Sequence, residues 1–290
     1  MRSPLSSGTL YLVSTPIGNL EDITYRAVRV LKAVDLIAAE DTRHTTKLCN
    51  YYGISTRRVS LHEHNESKRI PSLLQKLARG DTIAVVSDAG TPLVSDPGGK
   101  LTAEVLAAGY TVEAIPGPSA VLAALTSSGF CTENGFSFVG FPPNRSKDRI
   151  EFFLDFVGEA RPVVMFESPH RIIGCMTDLA AIFSSRRVAI CRELTKIHES
   201  LVIQPISDAL KLLSENKPKG EITLVIEGES DRNVKKSTPD WTNLLEEFGQ
   251  LTISGLPRRG AIRALATRYR CSSREIYRRI EADKLDFFAD

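Results

Sequence analysis

Residues 85–99 read VVSDAGTPLVSDPGG, and the patterns on either side of them decide the fold. They overlap the end of an apolar run, 82–86, that predicts a buried strand, and they lead into a helical pattern, 101–108. In open α/β sheets, ligands bind at loops that leave the carboxyl ends of such strands. Gly90 lets a ligand approach the backbone closely, and Asp88 is placed to accept a hydrogen bond from a ligand. The stretch therefore predicts an α/β fold with a ligand site at this strand end.

The same loop also has a purely structural interpretation. Asp is a preferred helix N-cap and Pro suits the first helical position, so we expect Asp96 and Pro97 to begin the following helix. We expect Asp88–Thr91, by contrast, to contact the ligand.

The first half of the chain alternates strand-like and helix-like patterns. The predicted strands are 9–14, 36–39, 82–86 and 111–115. The predicted helices are 24–34, 71–78, 101–108 and 119–128. The residues from 40 to 52 form a polar stretch. Strands that alternate with helices predict a mostly parallel sheet covered on both faces.

The second half mixes spacings and predicts an α+β unit with some antiparallel pairing. Its predicted strands are 136–141, 163–166, 187–191, 201–204 and 222–227. Its predicted helices are 149–156, 170–183 and 206–214. A polar stretch then predicts a linker, and the runs 257–269 and 273–282 predict two short helices with helix–turn–helix spacing.

Two further loops follow strands of the first half, STPIGNL at 14–20 and IPGPSA at 115–120. Three Gly/Pro loops at strand ends predict one cofactor cleft. Four polar clusters also follow strand-like runs or the polar stretch: EDTRH, HEHNE, ESPHR and RELTK. HEHNE holds two His and two Glu in five residues, but adjacent side chains of an extended loop rarely reach one ion, so we predict no metal site.

Bulk properties and absent motifs narrow the class of protein. The chain has 290 residues, which favours two domains, and it has no run of about 18 apolar residues that would cross a membrane. Its five cysteines are scattered and never in CxxC spacing, which favours reduced thiols and a cytoplasmic protein. The GxGxxG, GxxxxGK[ST] and GxSxG patterns are missing, which disfavours dinucleotide, P-loop and α/β-hydrolase sites. With these site types disfavoured, the residues alone predict a small anionic or nucleotide-like cofactor.

Charge is distributed unevenly along the chain. The formal net charge is +2, but residues 258–280 contain eight Arg and one acidic residue, Glu275, which gives +7 there. A basic tail on a mildly acidic body suggests an anionic partner.

Eight motifs, in order, resemble a known family. They are GTLYLVSTPIGNL, AEDTRHT, HEHNE, SDAGTPLVSDPG, IPGPSA, ESPHR, RELTKIHE and KGEITLVIEG, between Gly8 and Gly228. The chain resembles the small-subunit ribosomal RNA 2′-O-ribose methyltransferases of the tetrapyrrole (corrin/porphyrin) methylase superfamily. The resemblance implies a two-domain α/β, class III methyltransferase fold with a small helical C-terminal module. With the linker that the polar composition predicts at 229–239, the expected ranges are domains 1–117 and 118–228 and a basic, helix–turn–helix-like module 240–290.

The resemblance also implies a reaction and its participants. The cofactor is S-adenosyl-L-methionine, bound in a cleft between the two domains of a homodimer. The substrate is a cytidine ribose of 16S rRNA near the decoding centre of the small ribosomal subunit. Tetrapyrrole-specific relatives usually carry Gly-Asp-Pro where this chain has Ser87-Asp88-Ala89, and this departure favours the RNA branch.

The resemblance implies roles for individual residues according to their positions in the motifs. The expected cofactor contacts are Pro16, Ser87, Asp88, Thr91, Ser119, Ala120, Phe166, Leu194 and Thr223. The candidates for a base, or for a cation that stabilises the alkoxide, are Glu193, Asp41, Arg43, His64 and Lys196, with Glu193 and Asp41 favoured. The expected RNA-binding residues are Arg258, Arg259, Arg263, Arg274 and Arg278.

Two alternatives stay open. A small-molecule methylase that acts on a tetrapyrrole would leave the basic tail unused. A non-enzymatic protein that binds nucleic acid through the helix–turn–helix, with a ligand-sensing body, would bind duplex DNA and transfer no methyl group.

Overall fold

A computed structural model describes residues 8–130, 132–183, 186–216, 218–229, 243–253, 256–269 and 271–287. Most of the predicted linker, residues 230–239, lies outside these ranges, as do Cys131 and Arg270. The chain folds into two compact units. The first contains the described residues up to Ala123 together with Leu194–Ile197, and the second contains the remainder. The predicted domain ranges stay predictions.

The first unit is built on a five-stranded parallel sheet in the order β3-β2-β4-β1-β5. The strands are β1 (Thr9–Val13), β2 (Leu36–Ala39), β3 (Arg58–Ser60), β4 (Ile83–Val86) and β5 (Thr111–Ile115). The helices along this part of the chain are α1 (Tyr25–Ala33), α2 (Thr42–Tyr52), α3 (Glu66–Ala78), α4 (Gly99–Ala107) and α5 (Ala120–Ser128). The predicted α/β class and parallel sheet are confirmed.

Each face of this sheet carries its own hydrophobic core. Leu10 packs with Leu73, Leu77 and Leu101 on one face, whereas its neighbour Tyr11 belongs to the cluster on the other. Successive side chains of a strand point to opposite faces, so β1 is buried on both sides. This is the two-sided burial that the continuous apolar strands predicted.

The second unit is built on a mixed sheet in the order β6-β7-β10-β8-β9. Its strands are β6 (Ser137–Phe138), β7 (Val163–Glu167), β8 (Arg187–Arg192), β9 (Ser200–Pro205) and β10 (Ile222–Ile226). The β6–β7 pair is parallel and the other three are antiparallel, as the α+β prediction required. Its remaining helices are α6 (Ser146–Leu154), α7 (Ile172–Phe183), α8 (Ile206–Glu215), α9 (Leu244–Ile253), α10 (Arg258–Arg268) and α11 (Ser273–Phe287).

The C-terminal helices share one hydrophobic core with the second sheet. Phe248 of α9, Leu265 of α10 and Ile276 of α11 are buried in the same cluster as Met165 and Leu224. The predicted pair of helices is confirmed as α10 and α11, but these helices pack into the unit rather than forming a core of their own. In the described part of the chain, no helix is both long enough and apolar enough to cross a membrane.

The sequence patterns missed several elements. The prediction of a polar stretch at 40–52 misses helix α2, because few of its residues are apolar, although Asp41 caps its start and Gly53, with φ 61°, ends it. Helix α3 begins at Glu66 and contains Pro71 on its exposed face, so the prediction that it starts at residue 71 is wrong. The predicted strand 136–141 shortens to two residues, and α9 had no prediction.

The start of α4 corrects another prediction. Its N-cap is Gly98, with φ 112°, so the expectation that Asp96 caps the helix is wrong. The Glu66 carboxylate accepts a hydrogen bond from the backbone N–H of Leu101 at 2.9 Å instead, and Glu66 is only 4% exposed. The first N–H groups of a helix lack internal partners and carry partial positive charge, so a buried carboxylate from α3 can replace the missing side-chain cap.

We therefore expect Glu66→Ala to lower the free energy of unfolding by about 1–3 kcal/mol, because it leaves the buried Leu101 N–H without a partner. Glu66→Gln should lower the free energy of unfolding by less, since its amide oxygen can still accept the hydrogen bond from the Leu101 N–H. Urea unfolding measures both values. Glu63→Ala, at an exposed position of the same loop, is the control, and an equal loss in Glu63→Ala and Glu66→Ala would contradict this role.

Candidate functional site

The three predicted loops meet in the first unit. They follow β4, β1 and β5, which are neighbours in a parallel sheet and end at the same edge. Thr15 and Gly90 exchange two backbone hydrogen bonds, at 2.9 and 3.0 Å, and the Thr15 hydroxyl donates to the carbonyl of Ser87 at 3.2 Å. Gly90 has φ 81°, a conformation that favours glycine. The β1 and β4 loops are thus locked together beyond the ends of their strands.

The hydroxyl of Thr91 connects all three loops. It accepts a hydrogen bond from the Ser14 hydroxyl at 3.3 Å and donates to the carbonyl of Pro118 at 3.1 Å. Gly117 packs so tightly that a Cβ atom there would lie 2.9 Å from the Cβ of Ser14. Glycine at 117 therefore permits the close approach of the β5 loop to the β1 loop.

The segment Leu194–Ile197 completes this part of the first unit. The backbone N–H of Asn19 donates to the Thr195 hydroxyl at 3.0 Å. A Cβ atom on Gly18 would lie 2.4 Å from Cγ of Lys196. The loop after β1 therefore packs directly on residues 194–196, although nearly 180 residues separate them in sequence.

The structure brings most of the predicted cofactor residues into this one region. Those of the first unit are Pro16, Ser87, Asp88, Thr91, Ser119, Ala120 and Leu194. The other two, Phe166 and Thr223, belong to the second unit, where they lie opposite each other on β7 and β10. Their part in cofactor binding stays a prediction.

Carboxylates gather at the ends of β2 and β4. Glu40 accepts a hydrogen bond from the backbone N–H of Asp88 at 3.2 Å, and Asp88 accepts one from the backbone N–H of Asp41 at 3.0 Å. Burial raises the pKa of Glu40. Burial also raises the pKa of Asp96 to about 6, and the negative charges of Glu40 and Asp88 add to the effect. This cluster favours a positively charged group beside it.

Asp96 is the member of this cluster that sequence reasoning missed. Its position before Pro97 made it look like a helix cap, whereas its half-buried carboxyl group interacts with Ser87, Glu40 and Asp88. The signal available in the sequence was the second Asp of SDAGTPLVSDPG, in a loop already assigned to ligand binding.

Two of the predicted catalytic residues form a pair of their own. Asp41 caps α2, and its carboxylate binds the Arg43 guanidinium with an N–O distance of 2.8 Å. Hydrogen bonds from the Arg43 side chain and backbone lower the pKa of Asp41 to about 2. His64 is exposed beside His62, with 6.1 Å between the ring centroids.

Glu193 belongs to the second unit, whereas Lys196 belongs to the first. The Glu193 carboxylate accepts a hydrogen bond from the backbone N–H of Glu221 at 2.9 Å, and its own N–H donates to the Glu221 carbonyl at 3.0 Å. Gly220 leaves room for this side chain, because a Cβ atom there would lie 2.3 Å from the Glu193 carboxyl group. Glu193 is thus held on the turn before β10.

Backbone strain marks two of the motifs. In the described ranges, four residues other than glycine have positive φ: Leu93, Ser95, Glu193 and Thr195. All four lie in the SDAGTPLVSDPG and RELTKIHE motifs. Such conformations cost about 1–3 kcal/mol each and cluster at functional sites.

The predicted RNA-binding arginines are all exposed: Arg258, Arg259, Arg263, Arg274 and Arg278. Arg258 pairs with Glu281 and Arg263 with Asp155, so these two charges are partly neutralised. The other three form no salt bridge with a carboxylate in the described part of the chain and keep their charge available to solvent.

Comparisons with known proteins identify the family of this chain. Residues 9–210 match the family of Tetrapyrrole (Corrin/Porphyrin) Methylases. The chain belongs to the tetrapyrrole (corrin/porphyrin) methylase family. The matched region contains all three loops and the Leu194–Ile197 segment. The resemblance on which the sequence prediction rested is therefore confirmed.

Curated relatives are similar over most of the chain. Ribosomal RNA small subunit methyltransferase I of Synechocystis sp. is 43% identical and covers 95% of this chain and 99% of its own. Its namesake from Escherichia coli O157:H7 is 46% identical over 77% of this chain and 79% of its own. Among solved structures, uroporphyrin-III C-methyltransferase of Thermus thermophilus in complex with S-adenosylhomocysteine has a TM-score of 0.56, 17% identity and coverage of 76% and 97%. It supports the methylase fold prediction.

The raised pKa of Asp96 makes the stability of this methylase depend on pH. The folded pKa of about 6 lies above the ordinary value of 3.8, so the folded state holds this proton more tightly than the unfolded state. Ionising Asp96 therefore destabilises the fold increasingly as pH rises from about 4 to 6.

We expect Asp96→Asn to be more stable than the wild type at pH 7.5, by up to about 3 kcal/mol, since one pKa unit corresponds to about 1.4 kcal/mol. The difference should disappear near pH 4, where Asp96 is protonated. Thermal unfolding across this pH range measures it, with Asp148→Asn at an exposed position as the control. A difference that does not change with pH would refute the assignment.

Proposed function

We propose that this methylase transfers a methyl group from S-adenosyl-L-methionine to the ribose 2′-hydroxyl of a cytidine in 16S rRNA, within the small ribosomal subunit. The observation that carries the proposal is the 43% identity to a ribosomal RNA small subunit methyltransferase I over 95% of this chain. That coverage reaches into the basic C-terminal helices, which lie beyond the match to the wider methylase family at residues 9–210. We also propose that the enzyme is cytoplasmic and works as a homodimer.

The site of the first unit fits S-adenosylmethionine chemically. The cofactor carries a sulfonium and an ammonium group, and the half-buried carboxylates Glu40, Asp88 and Asp96 gather beside the β4 loop. A positive charge there would favour the ionised form of both groups whose pKa is raised. The backbone bonds of Gly90 and the tight contact of Gly117 with Ser14 hold the three loops close together beside these carboxylates.

In methyl transfer the main task of the protein is to position the methyl donor and the hydroxyl that accepts the methyl group. When bound, S-adenosylmethionine supplies an activated methyl group that is displaced in line by the hydroxyl. The locked loops around Thr15, Gly90 and Thr91 give the chain a rigid surface on which to orient the cofactor. Preorganisation of this kind accelerates the reaction because it fixes the distance and angle at which the hydroxyl approaches the methyl group.

A ribose hydroxyl is a weak nucleophile, so a proton acceptor nearby should accelerate the reaction about 10²–10⁴-fold. A pKa of about 2 makes Asp41 a poor acceptor near neutral pH, and its hydrogen bonds assign it to capping α2. We retain Glu193 as the favoured candidate, because its strained backbone and its bond to Glu221 hold the carboxylate in a fixed place. Lys196, Arg43 and His64 stay candidates for stabilising the developing charge.

The basic helices give the proposed RNA substrate a place to bind. Arg259, Arg274 and Arg278 are exposed on α10 and α11, where they can neutralise phosphates without distinguishing sequence. A methylase that acts on a free tetrapyrrole would have no use for these charges. A DNA-binding helix–turn–helix protein would use them but would need no methyl donor.

Incubation with methyl-labelled S-adenosylmethionine separates these functions. We offer the protein small ribosomal subunits, free 16S rRNA or a porphyrinogen, and we digest labelled RNA to nucleosides. Label in 2′-O-methylcytidine supports the proposal. Label only in the macrocycle would overturn it in favour of the tetrapyrrole reaction, and tight duplex DNA binding with no methyl transfer would favour the non-enzymatic alternative.

Two substitutions should separate cofactor binding from turnover. Asp88→Ala removes a charge from the acidic cluster and a bond to the Asp41 backbone, so we expect cofactor affinity, measured by calorimetry, to fall about tenfold or more. Glu193→Ala should lower kcat about 10²-fold or more at nearly unchanged cofactor affinity. Glu63→Ala is the exposed control. Equal losses of cofactor affinity in Asp88→Ala and Glu193→Ala would contradict this division of roles.

A further inference from the structure

A loop of the second unit presents an aromatic ring to solvent. After β6 the chain continues beside β7, where the N–H of Val139 donates to the Val164 carbonyl at 3.0 Å and the N–H of Phe166 donates to the Gly140 carbonyl at 3.0 Å. Gly140 has φ 65° and turns the chain away from the sheet. The next residue, Phe141, is 53% exposed. Burial of apolar surface does not explain this position.

Phe141 is the most exposed of three aromatic rings that pack in a row. Its ring centroid lies 5.5 Å from that of Phe166, which lies 5.0 Å from that of Phe138 in an edge-to-face arrangement. Both distances fall in the range of favourable aromatic pairs. The inner rings fix the direction of Phe141 and leave part of its surface open.

Two arginines brace the loop that carries this ring. The Arg171 guanidinium donates to the carbonyls of Pro142 and Pro143, the latter at 3.2 Å. Arg149 donates to the carbonyls of Pro143 and Asn144 at 3.3 and 3.1 Å. Prolines have no N–H with which to form the backbone hydrogen bonds of a turn. The guanidinium groups instead supply hydrogen bonds to the carbonyl oxygens of the loop.

Each bracing arginine is itself paired with a buried carboxylate. Nε of Arg149 donates to Asp178 at 2.7 Å, and Arg149 is 6% exposed. Nε of Arg171 lies 3.3 Å from Glu167, whose side chain is fully buried. Burying charges is costly unless they are paired and hydrogen-bonded. Two such pairs directed at one short loop restrain its conformation.

The chain directly after the loop is basic and exposed. Arg145 precedes α6 and Lys147 lies in its first turn, and both side chains face solvent. At the other end of the same helix, Asp155 pairs with Arg263 of the basic helix α10. Helix α6 is about 14 Å long at 1.5 Å per residue, so its basic start and its contact with α10 are separated by about that distance along the helix axis.

We propose that the braced loop from Gly140 to Arg145 is a stacking platform for an unpaired base of the RNA, with Phe141 as the ring on which the base stacks. The proposal rests on the proposed function, since it takes RNA as the substrate. Proteins recognise single-stranded RNA by stacking bases on aromatic side chains beside cations. A ring with an open face, held rigidly and followed by Arg145 and Lys147, has this chemistry, and its rigidity limits the entropy lost on binding.

Direct binding tests the platform independently of catalysis. A fluorescent, single-stranded, cytidine-containing oligoribonucleotide is titrated against wild type, Phe141→Ala, Phe141→Leu and Phe141→Trp. Stacking contributes about 1–3 kcal/mol per base, so we expect about tenfold weaker binding for Ala and Leu and near-wild-type binding for Trp. Leu212→Ala, an exposed apolar residue on α8, is the control. Phe141→Leu keeps an apolar side chain and covers the case in which Phe141→Ala unfolds.

Methylation of small subunits and calorimetry with S-adenosylmethionine complete the test. Phe141→Ala should raise KM for the RNA about tenfold with little change in kcat or in cofactor affinity. Oligonucleotide affinity that is absent in the wild type, or equal in wild type and Phe141→Leu, overturns the platform. Weaker cofactor binding with unchanged RNA affinity also overturns it, and assigns Phe141 to the cofactor. If the wild type methylates no RNA while Phe141→Leu still weakens RNA binding, the proposed function falls and the platform stands.

Discussion

Two backbone hydrogen bonds between Thr15 and Gly90 set the arrangement of the first unit's site. They form an isolated antiparallel bridge beyond the ends of the parallel strands β1 and β4, and so join the two loops that follow these strands. Thr91 extends the same connection to Pro118, and Thr195 extends it to Asn19. Loops are usually the mobile part of an α/β fold. Here hydrogen bonds join the loops, and Gly18 and Gly117 pack too closely against their neighbours for a side chain to fit. The loops therefore have the fixed positions that an enzyme needs in order to orient its reactants.

Sequence patterns were sufficient for the sheet and for the meeting of its three Gly/Pro loops at one edge. Apolar strands such as Leu36–Ala39 can only be buried on both faces, and in parallel sheets the loops after neighbouring strands must meet. The patterns failed where tertiary contacts decide. Helix α2 has too few apolar residues to show its period, and Asp96 acquires its environment only when β2 and β4 bring Glu40 and Asp88 beside it. Likewise, no spacing reveals that Arg149 and Asp178, 29 positions apart, hold a loop together.

In both units charged side chains hold irregular backbone through hydrogen bonds. The first unit uses carboxylates for this purpose and the second uses guanidinium groups. In the first unit, Glu66 and Glu40 direct carboxylates at backbone N–H groups of α4 and the β4 loop. In the second, Arg149 and Arg171 direct guanidinium groups at the carbonyls of a proline loop. The choice follows from what each segment lacks: helix starts have unpaired donors, whereas consecutive prolines have only acceptors.

The four residues Leu194–Ile197 belong to the first unit although the chain on either side of them belongs to the second. No contiguous piece of the gene therefore encodes one whole unit without part of the other. A fragment that ends at Ala123 would lack the partner of Asn19, and one that begins at Ala124 would carry a segment whose contacts lie elsewhere. The enzyme thus resists division by truncation, and recombination that exchanges one half with a relative must preserve the fit between the STPIGNL and RELTK motifs.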